Sequence, residues 1–171
     1  MAEATAVGER VRGMWKRMAP LPGGKRLFSL AIGQAAPYTG SIGALVDELE
    51  PGYARVHLRD RRKVRNHLNC VHAIALMNLG EMTTGLAMMS TLPADARGIL
   101  SGLAMEYHHK ARGMLTAECR CPAVEGSERR ELEIVGEIRD AGGVLVATAR
   151  ATWLVGPARK KDATDGATAA A

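Results

Sequence analysis

Apolar and polar positions recur along this chain with two clear periods, and each period predicts a different element. From Val7 to Met18, apolar Val7, Val11, Met14, Trp15 and Met18 return at helical spacing, with Arg10, Lys16 and Arg17 between them. That predicts an amphipathic helix packed on the domain. Pro20 and Pro22-Gly23-Gly24 break it, and Lys25 to Ala36 reads as a second short helix ended by Pro37. Strand signals start at Ser41. The run SIGALVDE leads toward the turn dipeptide Pro51-Gly52, and YARVHLR then alternates strictly. Ala54, Val56 and Leu58 face one way, while Tyr53, Arg55, His57 and Arg59 face the other. The predicted hairpin therefore has one covered face.

A basic run, Arg59 to Arg65, separates the hairpin from a stretch of another kind. Between Asn66 and Ala94 the only formally charged residue is Glu81. A helix that is apolar on nearly every side is a buried one. Asn69 is the expected N-cap, so this helix is expected to begin near Cys70 and to stop near Pro93. Asn78, Gly80, Glu81, Thr83 and Thr84 interrupt the apolar run, which argues for a helix buried in protein and against a membrane span.

Four more strand-like segments follow. Ile99 to His108 sets Ile99, Ser101, Leu103, Met105 and Tyr107 against smaller or polar partners. Met114 to Cys121 sets Leu115, Ala117, Cys119 and Cys121 against Thr116, Glu118 and Arg120. Glu131 to Arg139 sets Leu132, Ile134 and Ile138 against glutamates, and Gly143 to Val155 reads as a long strand. The order predicts an α+β layer arrangement, an antiparallel sheet against one long helix. The expected organisation is an N-terminal helical extension over 1–24, the main domain over 25–156 and a flexible tail over 157–171. Met1 to Thr5 are expected to be disordered.

Composition adds limits. A chain of 171 residues fits one sizeable core. A net charge of +5 with few aromatics favours anionic ligands but gives no basic stripe for nucleic acid. Cys70, Cys119 and Cys121 have no metal-ligand spacing and read as reduced thiols of a cytoplasmic protein. His108-His109 lacks ligand partners at recognisable spacing, so no metal is expected. No export signal is expected at the N-terminus.

A lone carboxylate in a buried helix is costly unless something requires it. Asn78 and Thr84 are expected one turn away on the face of Glu81. The first-turn N–H groups, around Val71 to Ala73, carry a partial positive charge suited to an oxyanion. His72 lies in that turn, and Asn66, just upstream, can donate an amide hydrogen to a carbonyl. From Ala73 to Glu81 the rise is roughly 12 Å. One chain therefore cannot easily place both groups on one carbonyl. An antiparallel two-fold partner can, which predicts a homodimer with two interface sites if these residues act together. A structural carboxylate paired with arginine is the alternative for Glu81.

The pattern of Asn66, His72 and Glu81 in an apolar helix resembles the hotdog-fold thioesterases, most of all the acyl-CoA thioesterases of the phenylacetate-degradation type. The run ARGMLTAECR, Ala111 to Arg120, resembles that family's strand after the helix. The resemblance spans roughly Leu27 to Val155. It implies an antiparallel sheet wrapped around the helix and assembly into dimers, with a dimer of dimers as a further option. Carried over by position, Glu81 is the nucleophile or general base, the Ala73 N–H the oxyanion donor, Asn66 the carbonyl-orienting group and His72 a support for the loop. Coenzyme A enters only as part of the substrate, with no separate cofactor. Arg62, Lys63 and Arg65, or Lys110 and Arg112, are candidates to hold its phosphates. The sequence departs from the family at Ala73-Ile74, where the family has two glycines. That departure brings substrate size into question and keeps a non-catalytic acyl-CoA or fatty-acyl binding protein as the second reading.

Overall fold

The computed structural model describes residues 7–158. The expectations for Met1–Thr5 and for the tail beyond residue 158 lie outside the described residues. Three helices precede the sheet: α1 (Val7–Met18), α2 (Gly24–Ala35) and the single turn α3 (Pro37–Gly40). The hairpin strands β1 (Leu45–Glu50) and β2 (Tyr53–Arg59) follow, then a 3-10 turn at Arg62–Val64 and the long helix α4 (Ala73–Met89). Strands β3 (Ala96–Tyr107), β4 (Met114–Arg120), β5 (Arg130–Arg139) and β6 (Leu145–Pro157) complete the chain. All pairings are antiparallel, in the order β1-β2-β4-β5-β6-β3.

The sheet curls around α4, which packs against all six strands. The alternation read for β2 and β4 supplies the lining: Ala54, Val56, Leu58, Leu115, Ala117 and Cys119 are buried under the helix. Close approach needs Gly80. A Cβ there would stand 2.5 Å from the Ala149 Cβ on β6. At the far end of α4, Arg12 of α1 donates to the carbonyls of Ser90 and Leu92, at 2.8 and 3.4 Å. A guanidinium there answers the negative end of the helix. Trp15 meets Phe28 edge-on at 4.9 Å, which ties α1 to α2.

The sheet's two edges differ. Beside β1 lies α2, where the Ser29 hydroxyl accepts from the Val46 N–H at 2.8 Å and Lys25 pairs with Asp47 at 2.8 Å. The opposite edge is β3, twelve residues long and paired only with β6. No described helix is long and apolar enough to cross a membrane.

Two expectations are corrected. First, α4 starts at Ala73, and its cap is His72 rather than Asn69. The residues before it are held in a loop by distant partners: Val71 N–H donates to Ala111 C=O and His72 N–H to Val64 C=O. Asn69 itself is left-handed, with φ 53°, whereas an N-cap takes an extended backbone. Second, the faces of β3 exchange at an irregularity between Leu100 and Gly102. Ile99 and Ser101 are exposed, while Leu103 and Met105 pack toward the core. The extra residue shifts the two-residue alternation by one. The end of α4 at Met89 lies one turn short of Pro93.

Candidate active site

The covered and uncovered faces of α4 follow from helix geometry. Residues buried by the sheet fill most of its circumference, but Ile74, Met77 and Glu81 form a stripe that is only partly covered. Glu81 is half-buried in that stripe. Among the described residues its carboxylate makes no hydrogen bond or ion pair, and the arginine partner of the structural alternative is not there. Burial pushes its carboxyl above the ordinary glutamate range, because desolvation penalises the charged form.

At the start of the helix two residues with donors free among the described residues, Asn66 and Ala73, line one cleft of about 310 Å3. Asn66 Oδ1 accepts from the Leu68 N–H at 2.9 Å and from Cys70 N–H and Sγ–H at 3.4 Å each. This turn uses the oxygen and leaves the Nδ2 hydrogens without a protein partner among the described residues. Ala73 is the first helical residue, so its N–H has no carbonyl within the helix to pair with. The next N–H, that of Ile74, is taken by His72 Nδ1 at 3.1 Å. Asn66 and Ala73 line the cleft with Cys70, Leu76, Tyr107 and Lys110. The Tyr107 hydroxyl donates to the Ala73 carbonyl at 3.1 Å, which ties β3 to the helix start.

The remaining predicted residues divide. His72, Lys63, Arg65 and Asn78 line a second cleft of about 250 Å3, on the side of α3. Ile74 lines that second cleft and not the first. Arg65 is held by Asp60 at 2.6 Å, and that guanidinium keeps the Asp60 carboxyl below its usual range. Arg112 Nε donates to the Asn69 carbonyl at 3.3 Å and so braces the loop. Arg62 is exposed on the 3-10 turn. Thr84 does not reach the Glu81 carboxylate: it is fully buried, and its hydroxyl is directed at backbone, to the Gly80 carbonyl at 2.9 Å and the Glu81 carbonyl at 3.1 Å. Its methyl side faces β5 at Gly136. Sequence reading missed Tyr107 and His109 as lining of the first cleft. Their only signal was position, at the end of the strand after the helix.

Within one chain Glu81 and the two donors do not meet. Eight residues of α4 separate Glu81 from Ala73, roughly 12 Å along the axis.

Residues 24–155 match the model of DUF4442, a domain of unknown function. A search of the curated proteins finds no match. Among solved structures, the structural-genomics protein APC5556 is 33% identical with a TM-score of 0.76, over 90% of this chain and 100% of that one. A protein of unknown function from Pseudomonas aeruginosa is 21% identical with a TM-score of 0.70, over 81% of this chain and 97% of that one. A glutamine-to-alanine variant of a thioesterase enzyme from Staphylococcus aureus Mu50 is 19% identical with a TM-score of 0.61, over 71% of this chain and 99% of that one. A second solved variant of that Staphylococcus protein replaces a glutamate fifteen positions after the glutamine. With its sheet wrapped around one central helix, and that fold shared with these structures over 71–90% of its length, the chain has the hotdog fold and belongs to the DUF4442 family.

Proposed function

We propose that this protein is an acyl-CoA thioesterase whose two sites form between the protomers of a homodimer. One observation carries the reading. Asn66 and Ala73, whose Nδ2 and N–H have no partner among the described residues, line a single cleft at the helix start, while Glu81, half-buried and likewise unpaired among the described residues, lies on the partly covered stripe of the same helix. These are an oxyanion site and a base, too far apart in one chain to serve one carbonyl.

The sheet edges support the dimer. An unpaired twelve-residue edge strand is a ready template for another chain, whereas the β1 edge is shielded by α2. Antiparallel pairing of β3 with its copy brings two α4 helices together in opposite directions. Each Glu81 then approaches the other chain's Asn66 and Ala73. The Asn66–Glu81 separation of fifteen positions equals that of the two residues replaced in the Staphylococcus enzyme.

The chemistry follows from these groups. Glu81 takes a proton from water, and the hydroxide forms a bond to the thioester carbon. The carbonyl electrons move onto oxygen, where Asn66 Nδ2 and the Ala73 N–H hold the oxyanion. Collapse of that intermediate breaks the C–S bond, and the proton on Glu81 passes to the thiolate. The products are a carboxylic acid and the free thiol. Lys110 at the first cleft and Lys63 at the second are candidate cations for the carrier's phosphates. A mostly apolar cleft of about 530 Å3 between α2, α3 and β1, with Met82 in its lining, is available for the acyl tail. Three buried free thiols, Cys70, Cys119 and Cys121, fit a reducing compartment such as the cytoplasm.

Free-thiol release over a panel of acyl-CoAs tests the reading. Wild type is expected to turn over at least one member, and Glu81→Gln is expected to lose about 10²–10⁴-fold with its fold intact. Binding of acyl-CoA with no thiol released from any member would instead establish the non-catalytic reading.

A further inference from the structure

One residue lining the second cleft carries a buried atom that the proposed chemistry leaves unused. Asn78 in α4 is 5% exposed. Its Nδ2 donates to the Tyr38 carbonyl of α3 at 3.0 Å. A carbonyl can only accept, so this bond fixes which end of the amide is nitrogen. The other end, Oδ1, is buried and, among the described residues, has no donor within hydrogen-bonding distance. A buried acceptor without a donor destabilises the fold, and such a group in a native protein calls for an explanation.

Its surroundings supply one. Asn78 lines the cleft of about 250 Å3 whose walls include Ile42, Val64 and Ile74 and whose rim carries Lys63. Glu81 lies three residues further on, about 4.5 Å along the axis and about 60° around it. A thioester whose carbonyl reaches Glu81 needs to extend only one helical turn to reach Oδ1. We propose that this cleft receives a hydrogen-bond donor of the substrate, an O–H or N–H close to the scissile carbonyl, and that Asn78 Oδ1 accepts it. The proposal rests on the thioesterase reading and specifies the substrate for it. Two parts of a thioester can carry such a donor: a hydroxyl on the acyl chain, or the amide N–H of the thiol-bearing arm. A site that must pair a buried polar group discriminates strongly against an analogue that lacks the partner.

Matched substrates separate these sources. The first pair is 3-hydroxybutyryl-CoA and butyryl-CoA. The second is the butyryl thioester of N-acetylcysteamine and that of 2-acetoxyethanethiol, which has an ester where the first has an amide. Wild type is expected to favour the donor-bearing member of at least one pair by about ten- to hundredfold in kcat/KM. The responding pair identifies the source. In Asn78→Leu the preference should fall toward one. In Asn78→Asp, which keeps an acceptor but loses the bond to Tyr38, it should persist. A purely structural Asn78 would change both members of a pair alike. Equal rates within both pairs in wild type overturn the proposal, whatever the variants do, as does a preference that survives Asn78→Leu. If no thioester is hydrolysed, the hydrolase reading fails separately. Calorimetric binding of the corresponding non-hydrolysable thioethers, with and without the donor, then decides the cleft by the same comparison.

Discussion

Replacing Glu81 by glutamine should make the protein more stable while removing its activity. The side chain stands half-buried in α4, without an ion pair or hydrogen bond among the described residues, and burial alone raises its carboxyl above the ordinary range. The folded chain therefore holds this proton more tightly than the unfolded chain does. The stability tied to the group is fully present below its unfolded value and is lost as pH rises through the raised folded value. At neutral pH the ionised carboxylate is a net cost. Glutamine keeps the shape and a similar helix propensity, so the charge is the main thing removed. Half-burial puts the gain at the low end of about 0.5–2 kcal/mol, the range typical of relieving one such local conflict. For a chain of this size each kcal/mol raises Tm by about 2–4 °C. Thermal unfolding of wild type and Glu81→Gln, followed across neutral and acidic pH, measures it. The gap should be widest near neutrality and close as the medium becomes acidic enough to protonate the wild-type carboxylate. A variant no more stable than wild type at neutral pH, or a gap that ignores pH, would refute the reasoning and point to a carboxylate paired in solution.

Two further expectations concern other residues. Asn66→Ala removes the side-chain oxyanion donor together with the acceptor for Leu68 and Cys70, and should lower kcat by about 10²–10³-fold per folded molecule in the thiol-release assay. Arg12→Met removes the guanidinium from the Ser90 and Leu92 carbonyls at the end of α4. It should cost about 1.5–3 kcal/mol in denaturant unfolding, the range for hydrogen bonds to a charged group, and leave activity per folded molecule unchanged.

Strict alternation made β2, β4 and β5 legible residue by residue, because one face of each lies under α4 and a period of two admits only one assignment. The same rule misassigned the first half of β3, where an irregularity at Leu100–Gly102 shifts the phase and no residue type announces it. The start of α4 was misread for a different reason. Asn69 has the right chemistry for a cap, but the loop around it is fixed by Val64 and Ala111, partners that local pattern does not reveal. Histidine is not among the favoured capping residues, so His72 gave little warning. The single turn α3 was invisible, and with it the contact of Asn78 with Tyr38. Glu81 stood out because charge is so rare in its stretch. The assignment of Asn66 and His72 to separate clefts needed the folded loop.

The central claim is that Glu81 of one protomer serves the Asn66 and Ala73 of the other. Mixing Glu81→Gln with Asn66→Ala tests it most directly. A heterodimer of these variants contains one site with both intact residues and one with neither. Random reassociation of equal amounts should therefore restore about a quarter of wild-type thiol release from two nearly inactive proteins. A mixture no more active than its separate components, once exchange of protomers has been verified, would contradict the shared site.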